Sequence, residues 1–502
     1  MYTGTNTGTN TGTNTVTNTG TSAAMNVGMN VGMNVGMNVG ANTRTKAVPK
    51  PARFLAASAA VAVALAVTAC GSLPAPVQAA TSAKAGAGAG AGVTAAPEIP
   101  ATPVGRQLTW LLDAAPRAPL SESELTGHFA ADFLKNVPPA QINQVLTSFG
   151  AMKLERLVSA QERQLVARVV VGRSPFDVTL VVDAASLITS LMFRSPTPQS
   201  WGEVDERLSE LSPQAGFLAA ELTADGRCRP VHALAADEAR PLGSMVKLYV
   251  LGAVAERIKG GAFGWDTQLT ITPELKSLPT GELQNRPDGS KVSVLEAAKL
   301  MISISDNTAT DLLIHKVGRK AVERTMRAWG ARDERNVPLL TTRELFVLKG
   351  VDYPRHTERY LSLSTAKQRA YLDKVVAKAP LSEFRLWTAP RELDAVEWYA
   401  SPNDVCRAYA GLVKLDDRRI GEIMSISDGG LGLDKARWPS VWFKGGSEPG
   451  VSDLGYLART AEGKTYVVTA LSIDPAKPFG PEAVLDQLAV ARGAFTLAAE
   501  GS

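Results

Sequence analysis

Pro241-Leu242-Gly243-Ser244-Met245-Val246-Lys247-Leu248-Tyr249-Val250-Leu251 carries the reading of this 502-residue chain. Pro241-Leu242-Gly243 is a breaker, and Leu248, Val250, Leu251, Val254 and Ala255 follow it as an almost wholly apolar run, which predicts a buried helix opening at Ser244. At a helix start the dipole and the free N–H groups favour a developing oxyanion. Lys247 stands one turn later on the same face. On an amphipathic surface helix such a lysine would snorkel to solvent, but a helix this apolar has no polar face to receive it. Buried beside a second cation, its amine is driven toward neutrality and could take the proton of Ser244. A Ser and a Lys at this spacing recur by chance about twice in a chain of this length, so the motif needs company.

Company follows in order. Ser305-Asp306-Asn307 is a triplet expected by chance in fewer than about one chain in ten of this length. As structure alone it would cap a helix or make a turn. As chemistry, Ser305 passes a proton to the leaving group, and Asn307 orients a substrate amide and Lys247. Lys444-Gly445-Gly446 falls on a strand beginning at Val441 and would by itself be an ordinary turn signal. On an edge strand its glycines let a substrate backbone lie alongside, while Lys444 offers positive charge to a substrate carboxylate and to Ser305. Ser447 then supplies the backbone N–H that completes an oxyanion hole with that of Ser244.

Around these motifs the periodicity predicts a helix over 201–211, strands over 215–222 and 230–234, three further strands over 440–443, 453–458 and 465–473, and a closing helix over 480–499. Five strands from the two extremities of the segment 200–502, with helices at both ends and a helical middle, make an α/β/α three-layer sandwich with an inserted helical lobe.

The three motifs, in this order, resemble those of the penicillin-recognising serine hydrolases, and class A β-lactamases in particular. Leu278-Pro279-Thr280-Gly281-Glu282-Leu283-Gln284-Asn285-Arg286-Pro287-Asp288-Gly289 also looks like the class A stretch that leads into Ser-Asp-Asn. The resemblance covers 200–502. It implies an α/β (α+β) fold with a five-stranded antiparallel sheet, Ser244 as nucleophile, Lys247 as base, Ser305 and Lys444 as the proton-relay pair, and Asn307, Gly445, Gly446 and Ser447 as substrate contacts. The implied activity is a serine acyl-hydrolase working through an acyl-enzyme on β-lactam-like amides or esters. A cell-wall peptide carboxypeptidase, and a β-lactam or cell-wall ligand-binding lipoprotein with little turnover, are the alternatives.

The chain departs from that family in two places. Class A enzymes free the acyl-enzyme with a glutamate in a Glu-x-x-Leu-Asn loop, and here the corresponding region reads Leu339-Leu340-Thr341-Thr342-Arg343-Glu344-Leu345-Phe346. Glu344 is either a base or the cap of a helix opening after Thr341. Just past the third motif, where class A members often carry an arginine for the substrate carboxylate, stand Ser452 and Asp453. These departures imply weak β-lactam turnover. Extra chain over 349–398 is expected to cover the cleft mouth, with Tyr353, His356, Phe384, Trp387 and Trp398 as its lining.

The first 200 residues are of different character. Residues 1–43 repeat Thr-Gly-Thr-Asn and then Met-Asn-Val-Gly, with too few large apolar groups to offset the entropy of ordering; the tract could also be translated repeat DNA ahead of a start at Met25, Met29, Met33 or Met37. A basic then apolar segment over 44–70 has the form of an export signal, too short to span a membrane. It ends in Val67-Thr68-Ala69-Cys70-Gly71, which resembles a bacterial lipobox; ordinary cleavage after Ala79 is the alternative. Either way the mature chain is expected outside the cytoplasm, and lipidation at Cys70 would anchor it to the outer side of the cytoplasmic membrane. Residues 71–103 read as a tether. Over 104–196, helical periodicity gives way to four extended runs, a small α+β domain whose element order resembles the steroid-isomerase-like cone, with His128 structural. The whole arrangement resembles a lipoprotein subgroup related to the cephalosporin-esterase-like protein of clavulanic acid gene clusters. A net charge of +4 without long basic runs indicates no nucleic-acid groove. No Cys or His cluster has zinc spacing, and neither a metal nor a cofactor is indicated. Cys228 and Cys406 are either small buried residues or a bridge, if the fold brings their Cα atoms within about 7 Å.

Overall fold

The computed structural model describes residues 97–172 and 174–501. The repeat tract, the export-type segment with Cys70, and 71–96 of the tether lie outside the described residues.

The chain enters with four helices, α1 (Pro103–Ala114), α2 (Glu122–His128), α3 (Ala131–Asn136) and α4 (Pro139–Phe149). Thr102 caps α1 by accepting from the Gly105 amide, with Pro103 at the first helical position, where its missing N–H is not needed. An antiparallel meander follows: β1 (Lys153–Ala160), β2 (Gln164–Val171), β3 (Ser174–Val182) and β4 (Ile188–Arg194). Alternation along β2 and β3 turns Leu165, Ala167, Val169, Phe176, Val178, Leu180 and Val182 onto one buried face. His128 stacks on Trp110 with ring centroids 3.9 Å apart and bonds Gln107 through Nδ1 at 2.9 Å.

Helix α5 (Trp201–Leu211), capped by Ser200, opens the second unit. It leads to β5 (Gln214–Leu222), β6 (Cys228–Leu234) and the short β7 (Arg240–Pro241), then to a 3-10 turn over Gly243–Val246 and α6 (Lys247–Lys259). The lobe holds a small hairpin, β8 (Gln268–Thr270) with β9 (Lys291–Ser293), and α7 (Val294–Ser303), α8 (Asn307–Val317), α9 (Arg319–Ala328) and α10 (Thr342–Gly350). Next come α11 (Arg355–Leu361), α12 (Thr365–Lys374), β10 (Tyr399–Ala400), α13 (Pro402–Lys414) and α14 (Arg418–Met424). The chain returns through β11 (Ser440–Glu448), β12 (Val451–Arg459) and β13 (Thr465–Ile473), and closes with α15 (Pro481–Glu500).

The main sheet is five-stranded and antiparallel, in the order β11-β12-β13-β5-β6, so both ends of the unit build it. This is the expected mixed α and β sandwich. Both its faces are covered: along β5, Phe217 and Ala219 join the core under α15, which continues into the first unit, while Leu218 and Ala220 join the core of the helical lobe. Strands buried on both faces read as continuous apolar runs, as β13 does in Tyr466-Val467-Val468-Thr469-Ala470-Leu471. β11 lies at the sheet edge and reaches Glu448, so the whole third motif sits inside a strand.

One open alternative is decided and one expectation is corrected. Cys228 is half-exposed and Cys406 buried, and they pair as a disulfide with Cα atoms 6.3 Å apart, joining β6 to α13. Of the aromatic residues in the extra chain over 349–398, the two tryptophans are not at the cleft mouth. Trp387 and Trp398 are each 4% exposed and belong to the lobe core, with Phe384 packed edgewise on Phe346. Tyr353 donates to Glu392, and His356 meets Tyr371 at 2.7 Å.

Candidate active site

The turn before α6 holds Ser244 half-buried at the surface end, and Lys247 behind it has no exposed surface. Lys247 Nζ lies 3.2 Å from Ser244 Oγ, 2.9 Å from Ser305 Oγ, 2.7 Å from the Ser305 carbonyl and 2.7 Å from Asn307 Oδ1. Burial drives its pKa well below that of an ordinary lysine, the Lys444 charge pushes the same way, and Asp306 and Asp311 oppose only in part. A neutral amine has two N–H donors for the carbonyl and the amide oxygen, which are pure acceptors, and keeps one lone pair for a hydroxyl proton. That is the requirement for drawing the proton from Ser244.

Ser305 stands between α7 and α8 at φ +57°, a left-handed conformation that costs energy for any residue but glycine. Thr280 holds it there: its hydroxyl donates to the Ser305 carbonyl at 2.8 Å, and its own carbonyl accepts from the Asn307 amide at 3.0 Å. Asp306 caps α8 and also accepts from the amides of Glu282 and Leu283. Gly281, at φ +118°, passes so close that an added Cβ would lie 2.3 Å from Asp306 Cγ. The Thr280-Gly281-Glu282 stretch is therefore the cradle of the second motif. Besides Lys247, Asn307 meets the 278–283 loop: one N–H of its Nδ2 donates to the Leu278 carbonyl at 2.9 Å, which leaves the second N–H for a substrate amide.

Lys444, 3% exposed on β11, donates to Ser305 Oγ at 3.3 Å and to the Gly445 carbonyl at 2.6 Å. The two amines thus flank one hydroxyl, which suits Ser305 to relay a proton between them. Beyond Lys444 the edge strand crosses the Ser244 turn at backbone contact. A Cβ built on Gly446 would lie 3.1 Å from the Ser244 amide nitrogen, and one on Gly243 would lie 3.0 Å from that of Ser447. The two amides predicted as an oxyanion hole are thereby brought to one place.

Burial pushes the Lys444 pKa down to about 7. Between about 7 and 10.5 the unfolded chain would hold a proton there that the folded chain has lost, so this group makes stability rise with pH across that window. Lys444→Met is expected to flatten the slope of the thermal midpoint between pH 7 and pH 10 relative to the parent; an unchanged slope would show that Lys444 titrates normally.

Of the two readings of Glu344, the cap is the one found. Glu344 forms a capping box with Thr341 at the start of α10, and both its oxygens bind Arg319 at 2.7 Å. Setting Glu-x-x-Leu-Asn on Leu345 places Thr342 at the glutamate and Phe346 at the asparagine, a register that the shared leucine makes readable. Thr342 Oγ1 lies 3.1 Å from the Asn307 carbonyl, 2.8 Å from Ser277 Oγ and 2.8 Å from Asp311 Oδ1. Asp311, whose pKa burial raises to about 6, also accepts from the amides of Thr342 and Arg343. The Thr342 hydroxyl thus pins this segment against α8. Ser452 and Asp453 are buried; the first bonds Gln487 and the second accepts from the Ser472 amide. Among the described residues, no three His, Cys, Asp or Glu side chains gather as a metal site.

Residues 203–383 match the Beta-lactamase enzyme family. Residues 99–188, ahead of that stretch, match the ORF 12 gene product N-terminal family. Among solved structures, the chain is similar to PBP-A at 19% identity and a TM-score of 0.41, covering 61% of this chain and 99% of that one. The β-lactamase of Sphaerobacter thermophilus is similar at 19% and 0.42, covering 60% and 98%, and the class A β-lactamase of Mycobacterium abscessus at 17% and 0.41, covering 60% and 99%. No curated protein sequence matches the chain.

Proposed function

We propose that the second unit is a β-lactamase-like serine acyl-hydrolase that acylates Ser244 with β-lactam-like amides or esters and releases the acyl group slowly. The observation that carries this reading is the buried Lys247 amine, placed between Ser244 Oγ, Ser305 Oγ and two pure acceptors. In this reading Ser244 attacks the acyl carbon as its proton passes to Lys247, the amides of Ser244 and Ser447 receive the oxyanion, and Ser305 delivers the proton to the departing amine or alcohol. Slow release is supported by Thr342, a hydroxyl tied to Asp311 rather than a base for water. The same observation favours a second reading, a β-lactam or cell-wall ligand-binding protein with little turnover; a cell-wall peptide carboxypeptidase shares the acylation step.

Intact-mass spectrometry after mixing with a penicillin and with a short-chain aryl ester tests this. The expected result is an adduct that maps to Ser244, with free product accumulating slowly. A persistent adduct without product supports the binding reading, and neither adduct nor product from any acyl donor overturns both.

We also propose export with a lipid anchor on Cys70. The Cys228–Cys406 disulfide supports an oxidising compartment. Cys70→Ala is expected to move the protein from the membrane fraction to the soluble one, and unchanged membrane association would refute the anchor.

A further inference from the structure

The chain between α10 and α13 is fastened by a charged cluster that acyl transfer does not use. Lys349 Nζ, on α10, lies 2.7 Å from Glu448 Oε1 and 3.2 Å from Glu397 Oε1. The three side chains are 0%, 4% and 1% exposed, and Glu448 Oε2 is buried without a hydrogen-bond partner. Burial alone would lower the Lys349 pKa, but Glu448 and Glu397 outweigh it and keep the ammonium charged; burial pushes the Glu448 carboxyl well above the carboxylate range. Removing a member of this cluster would leave the others buried without compensation.

The cluster reaches both walls of the oxyanion pocket. Glu448 follows Ser447 directly and shares a face of β11 with Gly446 and Lys444. Glu397 precedes Trp398, whose carbonyl accepts from the Leu242 amide at 2.8 Å, two residues ahead of Ser244. Tyr399 and Ala400 then pair with Pro241 and Arg240. Nearby, Pro390 and Leu393 pack against Gly450 in the β11–β12 turn. Glu397-Trp398 is therefore tied to the strand carrying the Ser447 amide through Lys349, and to the turn carrying the Ser244 amide through its backbone.

We propose that Lys349, Glu397 and Glu448 are positioning residues, an ionic brace that sets the separation of the Ser244 and Ser447 amides. The proposal rests on the acyl-enzyme reading for its consequence, because those amides must be held to about 0.5 Å to stabilise a transition state.

The test uses the full chain with Glu448→Leu, which roughly keeps the volume and removes the contact to Lys349, and with Lys349→Met, which removes the clamp. Hydrogen exchange read by mass spectrometry is expected to quicken in peptides spanning 240–248 and 441–449 while α15 is unchanged. The acylation rate constant at saturating chromogenic cephalosporin is expected to fall about ten- to a hundredfold, the cost of sub-ångström to ~1 Å misplacement, with the dissociation constant of the non-covalent complex unchanged. Quickened exchange confined to the substituted site, or an unchanged acylation rate constant, overturns the brace. Should Lys349→Met fail to fold, Glu448→Leu alone decides. If the parent is not acylated at all, the acyl-enzyme reading fails while the exchange measurement still decides whether the brace couples the two walls.

Discussion

Ser244→Ala is expected to abolish the covalent adduct and to cut hydrolysis of a chromogenic cephalosporin and of an aryl ester by about a thousandfold or more, as loss of a nucleophile does in other acyl-enzyme hydrolases. The hydroxyl is half-buried at the mouth of the site, and of the four oxygens around Lys247 Nζ it is the most distant, at 3.2 Å. Its removal leaves the amine with Ser305 and Asn307, so folding should change little and the lost activity can be assigned to chemistry. The measurement pairs the kinetic assay with a thermal melt. Undiminished hydrolysis in a folded Ser244→Ala protein would remove Ser244 from the mechanism.

Gly446→Ala is expected to slow acylation by about a hundred- to a thousandfold, the cost of losing an oxyanion donor, while the folded protein persists. The added methyl carbon would lie 2.0 Å from the Leu242 carbonyl and 3.1 Å from the Ser244 amide nitrogen. Both are backbone atoms of the nucleophile turn, so no side chain can swing away to make room. Leu242 is held from behind by Trp398, and β11 is paired to β12 along its whole length. The two segments must separate, and the amides on either side of the gap move with them. Overpacking of this kind costs roughly 1–3 kcal/mol of stability, too little to unfold a domain with this core. Acylation at the parent rate would mean that the two amides do not act together.

The apolar run after Lys247 predicted a lysine without solvent, and Lys247 has none. Thr341 and Glu344 stand at capping-box spacing, so the structural alternative for Glu344 was readable from four residues, whereas its partner Arg319 lies 25 positions away. That Asn307 donates to Leu278 was not legible at all, since it depends on how the 278–283 loop folds back on α8.

By itself the sequence determined the elements and the motifs: breakers, caps and hydrophobic periods act within a few residues, and they specify a helix behind Ser244 and apolar strands at both ends of the domain. Only the tertiary structure decided which distant groups meet. Lys247 lies 58 positions from Ser305, Lys349 lies 99 from Glu448, and Cys228 lies 178 from Cys406. The physical reason is that a proton transfer, a buried ion cluster or a disulfide depends on separations of a few ångströms, and those are set by strand order and helix packing rather than by any local pattern.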